Sequence, residues 1–116
     1  MGVTAKSLVN GVILTDATAT YYTAPLLTKC KITEIILANT HSAPVTVGVY
    51  MVPSGGSASA ANQLFVSSSP DGLVLAIGET RIFGLNTVLE ASGFLQMVAS
   101  VTAVVGCRAS GYEIVG

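Results

Sequence analysis

The sequence contains few charged residues. Charged side chains make up 9% of the chain, whereas about 25% is usual for soluble domains. A domain of this size exposes much surface for its volume, so it covers that surface with small polar residues or buries part of it against a partner. We expect both here, with permanent self-association or assembly into a larger particle. The alternative is a monomer whose surface is covered by small uncharged residues, mainly Ser, Thr and Ala, and needs no partner.

Basic residues are especially scarce, and this argues against two classes of partner. The five basic residues are scattered along the chain except for one close pair, and the net charge is -1; they are Lys6, Lys29, Lys31, Arg81 and Arg108. Nucleic acids and anionic membranes are bound by clustered Lys and Arg. Gly, Ser, Thr or Asn interrupts every apolar run before it reaches the roughly 20 residues of a spanning helix. The sequence therefore predicts neither a nucleic-acid nor a membrane partner.

The first residues, "MGVTAKSLVNGVILT", lack the features of a targeting signal. Asn10-Gly11 divides the apolar segment that a secretion signal needs, and no convincing cleavage site follows. Lys6 stands where the myristoylation pattern requires Ser or Thr. We expect no signal peptide.

Groups that could carry out chemistry are few and far apart. The one histidine, His41, lies in the predicted turn "NTHSAP" without a nearby carboxylate or cysteine to orient it. The carboxylates are isolated, and turn sequences account for Asp71 in Pro-Asp-Gly and Glu79 in Gly-Glu-Thr. No serine lies in a Gly-x-Ser-x-Gly motif, and no Lys follows the Gly-rich "SGGSAS". We expect no enzyme activity, cofactor, metal or small-molecule substrate.

There are two cysteines, Cys30 and Cys107. They are too few for a disulfide scaffold and too isolated for a zinc site, which uses paired ligands at short spacing. We expect each to be a small buried apolar residue. A disulfide between them remains open if their strands are adjacent.

Short runs of Val, Ile, Thr, Tyr and Leu recur along the chain, separated by Gly, Pro, Asn and Ser turn residues at intervals of roughly 8 to 15 residues. This pattern predicts an all-β fold: a single antiparallel β-sandwich domain over residues 1–116, jelly-roll-like, with about eight strands and no long helix. Asn10-Gly11, between Leu8-Val9 and Val12-Ile13, predicts a hairpin turn.

Two segments alternate cleanly between apolar and other residues. In 45–52 the odd positions are apolar, and in 101–110 the odd positions again point to the core, with Cys107 inward and Arg108 outward. After Gly111 the alternation changes parity. Either Gly111 forms a β-bulge or the strand ends there. For the Tyr21-Tyr22 pair, one ring inward and one outward is the ordinary arrangement, and an aromatic anchor at an interface is the alternative.

The segment 29–39 is different because apolar residues occupy both parities, with Cys30 and Ile32 on one and Ile35 and Leu37 on the other. Both faces of this strand are therefore predicted to be covered. We expect one face to pack in the sandwich and the Ile35/Leu37 end of the other to be covered by a second protein. Coverage by the chain's own loop at 54–62 fits the pattern equally well.

The order of these segments carries a resemblance over nearly the whole chain. A strand leading into "YYTAP", then "TKCKITEIILANT", "MVPSGGSASAANQL", a "GET" turn, "LEASGFLQMVAS" and a closing "ASGYEI" resembles small β-sandwich virion proteins of tailed bacteriophages, of the capsid decoration or cement type. The usual small-Gly turn after Ala-Pro is replaced by Leu26-Leu27. That departure indicates a contact made by the turn.

The resemblance implies a non-enzymatic structural protein that binds the major capsid protein, or another virion protein, and stabilises the capsid from outside. It implies a homo-oligomer, with a trimer favoured, made in the host cytoplasm and located on the virion. The alternative function is that of a tail, baseplate or fibre-adaptor component with the same fold. A carbohydrate-binding β-sandwich module is a weaker alternative. The predicted interface residues are Tyr22, Leu26, Leu27, Lys31, Ile35, Leu37 and Tyr50.

Overall fold

The computed structural model describes residues 2–64 and 72–115. Over these ranges the chain forms nine strands, β1 (Gly2–Ile13), β2 (Ala19–Thr23), β3 (Thr28–Asn39), β4 (Val45–Val52), β5 (Gln63–Leu64), β6 (Leu73–Leu75), β7 (Thr80–Leu89), β8 (Phe94–Ala99) and β9 (Val105–Val115). A 3-10 turn, Ala60–Asn62, precedes β5. The predicted Pro70-Asp71-Gly72 turn lies largely outside the described residues.

The strands form two antiparallel sheets. The first has four strands in the order β1-β9-β3-β7, and the second has the order β2-β8-β4-β5, with β6 paired to the same strand β4 as β5. If β5 and β6 are counted as one position, this is the eight-position arrangement of a jelly roll. The predicted antiparallel, jelly-roll-like sandwich is confirmed.

The core lies between the two sheets and is apolar. Its largest fully buried side chains come from both sheets and from the turn after β1; they are Leu14, Ile32, Ile35, Leu37, Leu75, Leu95, Met97, Val9, Val45, Val47 and Val49. The inward odd positions predicted for 45–52 are confirmed by the buried Val45, Val47 and Val49. The sandwich thus closes its own interior.

A β-bulge in β3 corrects the prediction for Ile35 and Leu37. Ile32 pairs with Gly111 and Glu34 with Ser110, so Thr33 is an extra residue relative to β9. An extra residue moves the following side chains to the other face. Cys30 and Ile32 before the bulge and Ile35 and Leu37 after it therefore all enter the core, each with 0% exposure. The predicted outward placement of Ile35 and Leu37 is wrong, and neither a partner nor the 54–62 loop is needed to cover them.

The hairpin predicted at Asn10-Gly11 is also wrong. Strand β1 continues through both residues and pairs along its length with β9. Val9 pairs with Ala109 and Val12 with Cys107, so the dipeptide forms a second bulge, in which Gly11 adopts a φ of 71°. The positive φ that makes this dipeptide suitable for a turn also suits it to a bulge.

Two predictions for the C-terminal strand need correction. Residues 101–103 form a turn rather than the start of a strand, with Ala103 at a φ of 63°, and β9 begins at Val105. Parity does not change after Gly111, because Tyr112 is exposed and Glu113 faces the other sheet. Cys107 is buried and Arg108 exposed, as predicted. Both Cys30 and Cys107 are buried free thiols.

Candidate interaction surfaces

Leu26 and Leu27 form the most exposed apolar turn in the described part of the chain. We call residues 25–28 the leucine turn. Its leucines are 79% and 78% exposed, and the Thr28 N–H donates to the Pro25 carbonyl over 3.2 Å. Leu27 has a φ of 59°, a left-handed conformation that costs a residue with a Cβ roughly 1–2 kcal/mol. The fold thus keeps a strained leucine in water.

The leucine turn is held by the turn that joins β7 to β8. The Ala24 N–H donates to the Gly93 carbonyl and the Ser92 N–H donates to the Ala24 carbonyl, both over 2.9 Å. Glu90 starts this supporting turn, and its carboxylate lies 3.7 Å from the Lys29 ammonium, with both side chains mostly exposed. The leucine turn is therefore an exposed apolar tip that backbone hydrogen bonds hold in place, and the turn that supports it carries the Glu90 carboxylate.

The outer face of the four-stranded sheet contains an apolar groove of about 300 Å³. Cross-strand pairing explains it: Ile13, Gly106 and Ala38 pair side by side across β1, β9 and β3, and residues in such a row share a face. Gly106 and Ala38 leave space between larger neighbours. The groove is lined by Gly11, Val12, Ile13, Ile36, Ala38, Gly106, Cys107 and Arg108, and we call this set the groove.

The five-stranded sheet has no charged residue in any of its strands as the structure bounds them. We give the name Tyr50 face to six residues on its outer side, which are Thr20, Thr46, Gly48, Tyr50, Gln96 and Val98. The Tyr50 ring lies over Gly48, since a Cβ there would come within 3.0 Å of the ring, and the Val98 side chain is also near, at 3.1 Å from the same Cβ. Thr20 is exposed and Gly48 buried, the other four residues are half-buried, and none of the six is charged.

One polar cluster joins the two sheets. The Tyr22 hydroxyl donates to the Glu113 carboxylate, and the Lys6 ammonium lies 3.3 Å from the same oxygen. Burial, with the hydrogen bond to Glu113, raises the pKa of Tyr22 well above its usual range. The hydrogen bond from Tyr22 and the Lys6 charge lower the pKa of Glu113. Burial raises the pKa of the neighbouring Cys30 thiol, and that of Cys107 to about 12. The cluster around Glu113 therefore links β1, β2 and β9 through side-chain contacts.

Asn39 makes a second polar cluster, which sequence reasoning missed. It is 3% exposed, and its amide N–H donates to the carbonyls of Ala43 over 3.1 Å and Ala76 over 3.0 Å. Its side-chain oxygen accepts from the His41 N–H over 2.9 Å. The "NTHSAP" turn is therefore fixed by its asparagine, and His41 contributes its backbone. In the predicted Gly-Glu-Thr turn, the Glu79 carboxylate accepts from the Ala76 N–H over 2.8 Å.

Over residues 2–64 and 72–115 the structure contains no group of three or more His, Cys, Asp or Glu side chains that could hold a metal ion. No helix among these residues is long and apolar enough to span a membrane.

The seven predicted interface residues do not form one surface. Leu26 and Leu27 lie in the leucine turn, Tyr50 on the Tyr50 face and Lys31 on the outer face of the four-stranded sheet, where it pairs between Tyr112 and Val88. Tyr22, Ile35 and Leu37 lie in the core. The groove was missed because Asn10-Gly11 was interpreted as a hairpin, which separates Ile13 from Gly106. The alternation of 105–109, which puts Gly106 outward, was the available signal.

No family model and no curated protein matches the sequence. Among solved structures, the fold is similar to a chain from the disulfide-linked pili of Bacillus endospore appendages, with a TM-score of 0.59, 14% identity, and coverage of 97% of this chain and 88% of that chain. It is equally similar to a chain of the T13 IBDV viral particle, with a TM-score of 0.59, 14% identity, and coverage of 97% and 30%.

A chain of the infectious bursal disease virus Gx strain matches with a TM-score of 0.53 and 16% identity, covering 97% of this chain and 31% of that one. This chain therefore spans less than a third of each of these two viral chains and most of the pilus chain. At such identities the likeness is one of fold. The chain has the β-sandwich that these pilus and viral particle chains contain.

Proposed function

We propose that this chain is a non-enzymatic structural subunit of a virion, and that it is a decoration protein bound to the outside of the major capsid lattice. The observation that carries the proposal is the Tyr50 face. The sandwich closes its own core, and the strands of its five-stranded sheet, within the bounds that the structure describes, carry no charged side chain.

The chemistry of the Tyr50 face suits a protein partner. Charged residues are depleted and tyrosine is enriched at the centres of protein interfaces, because charges that lose water on docking must be re-paired. The face offers Tyr50, Val98 and neutral Thr and Gln side chains, which cost less to desolvate. Each copy needs to contribute only a few kcal/mol, at about 25 cal/mol per Å² of apolar surface, because many copies act on one lattice.

The fold supports the proposal in a second way. Chains with this sandwich occur in a viral particle and in pili, which are repeating protein assemblies. By analogy, we propose that this chain also forms a homo-oligomer, with a trimer favoured. A fibre or tail component is the second candidate, because the chain corresponds to 88% of the pilus chain and so to nearly a whole subunit of a fibre.

Capsids that lack the protein provide the test. The purified chain should bind them and raise their resistance to heat. Gln96→Glu places one charge near the centre of the Tyr50 face, opposite Tyr50, and should weaken binding by about tenfold or more. The matched control is Asn86→Asp, the same amide-to-carboxylate change on an exposed position of β7, which should bind as the unmodified chain does.

Two outcomes would overturn the proposal. One is capsid binding by Gln96→Glu equal to that of the unmodified chain. The other is an electron microscopy map in which the four-stranded sheet, rather than the Tyr50 face, lies against the capsid. Density for the chain along a tail or fibre instead of the capsid would support the second candidate.

A further inference from the structure

We infer that copies of this chain bind one another, with the leucine turn of one copy inserted in the groove of the next. This contact is separate from the Tyr50 face and does not depend on capsid binding. It joins two features that the fold leaves unexplained: a strained, exposed pair of leucines and an apolar depression on a sheet with a completed core.

The leucine turn has the properties of an inserted tip. Glycine or asparagine would adopt the φ of 59° found at Leu27 with less strain than leucine does. The chain instead places two leucines there, about four-fifths exposed. Strain retained at an exposed apolar residue points to a role in contact rather than in folding.

The groove has the properties of a receptor for such a tip. The bulge at Asn10-Gly11 and the missing side chain at Gly106 open the space, and Ile13 and Ile36 line it. A Cβ at Gly106 would meet only the Val12 carbonyl oxygen, at 4.0 Å. The space above Gly106 is therefore open to an incoming side chain.

Charge complementarity indicates that the occupant is a second copy. Arg108 lines the groove and donates to the Asn10 side-chain oxygen over 3.2 Å, but no described carboxylate lies within salt-bridge distance of it. Glu90 lies in the turn that braces the leucine turn. Its contact with Lys29 is 3.7 Å long and exposed on both sides, which leaves it available to a second cation. Docking the tip brings Glu90 toward Arg108.

The tip and the groove of one molecule are too far apart to meet. Thr28 pairs with Val115 at one end of β3, and Ala38 pairs with Gly106 near the other end. Ten residues of strand separate them, which is roughly 30 Å at about 3.3 Å per residue. The contact is therefore head-to-tail between molecules, and it forms a closed ring or an open filament according to the rotation between copies.

The first test measures the mass of the purified chain by sedimentation over a range of concentrations, without capsids. The unmodified chain should associate. Leu27→Asn relieves the strained φ and should weaken association by about tenfold or more while the fold is retained. Gly106→Val fills the groove and should have the same effect. Its control is Gly84→Val, on the same sheet face with nothing within 4 Å of the new Cβ, which should associate normally.

The second test exchanges the charges. Glu90→Arg and Arg108→Glu should each weaken association, and the double variant should restore it, because the pair is then re-formed in the opposite sense. A monomeric unmodified chain, a Gly106→Val variant that associates normally, or a double variant as weak as the single ones would each overturn the inference. None of these results bears on capsid binding, which Gln96→Glu tests separately.

Discussion

The hydroxyl of Tyr22 on β2 donates a hydrogen bond to the carboxylate of Glu113 on β9, and this bond joins the two sheets of the sandwich. Lys6 on β1 lies 3.3 Å from the same carboxylate oxygen. Three strands therefore meet at one ionised group beside the core. Tyr22, which sequence reasoning placed at an interface, serves instead as a cross-sheet connection.

Removing the Tyr22 hydroxyl should destabilise the fold. Tyr22→Phe leaves a partly buried carboxylate without one of its donors, and a hydrogen bond to a charged group contributes about 1.5–3 kcal/mol. The free energy of unfolding from urea denaturation should fall by about that amount. Tyr21→Phe, on the neighbouring ring, is the control and should change it little. Equal stabilities for the two variants would contradict a structural role for the bond.

Acid should remove the contribution that the ionised Glu113 carboxylate makes to the free energy of unfolding. Because its pKa is lowered in the folded chain, the carboxylate stabilises the fold above the unfolded pKa of about 4.3, and this contribution is lost as the pH falls through the folded-state value. The free energy of unfolding should therefore decrease below about pH 5. In Glu113→Gln this part of the slope should be missing, whereas Glu34→Gln should retain it. A Glu113→Gln profile parallel to that of the unmodified chain would exclude this linkage.

The bulge in β3 predicts losses of stability of very different size for two adjacent residues, Ile36 and Leu37. Leu37 is 0% exposed in the core, so Leu37→Ala should cost about 2–5 kcal/mol of unfolding free energy. Ile36 faces outward, and Ile36→Ala should cost about 1 kcal/mol or less. Thermal or urea unfolding measures both. The reverse order would restore the interpretation in which Leu37 faces a partner.

Gly111 should tolerate no side chain, because a Cβ there would lie 2.0 Å from the Lys31 carbonyl oxygen. Gly111→Ala must push β3 and β9 apart, at a cost of about 3 kcal/mol. Gly84→Ala, in β7 of the same sheet, meets nothing within 4 Å and should change stability by about 0.5 kcal/mol or less. Chemical denaturation of the two variants compares them, and a stable Gly111→Ala variant would show that the strands separate readily.

Composition and turn residues were enough to predict the fold class, and alternation was enough to orient Val47 and Cys107. The predictions failed where a strand contains an extra residue. Thr33 and Gly11 each shift the register of a strand by local backbone changes, and a single sequence shows a bulge only as broken alternation. Segment 29–39 has apolar residues at both odd and even positions, which led to the prediction of two buried faces. In the structure one face is buried, and the bulge at Thr33 moves that face from the even to the odd positions.

How well each candidate surface could be predicted depends on how close together its residues lie in the sequence. The leucine turn depends on four consecutive residues, and its departure from a small-Gly turn was visible in the sequence. The groove and the Tyr50 face depend on which strands are neighbours, and that order comes from the long-range pairing of β1 with β9 and β4 with β8. Gly106 and Ile13 are far apart in the chain and meet only in the folded sheet.

The absence of charged residues from the strands of the five-stranded sheet gives the two proposed contacts different responses to ionic strength. Salt screens exposed ion pairs and leaves apolar burial intact or stronger. Raising the salt concentration should weaken the part of the contact between copies that Glu90 and Arg108 contribute, whereas burial of the leucine turn in the groove and attachment through the neutral sheet should persist. A particle coated with this protein would then keep its coat in concentrated salt, with neighbouring copies held together by apolar burial rather than by charge.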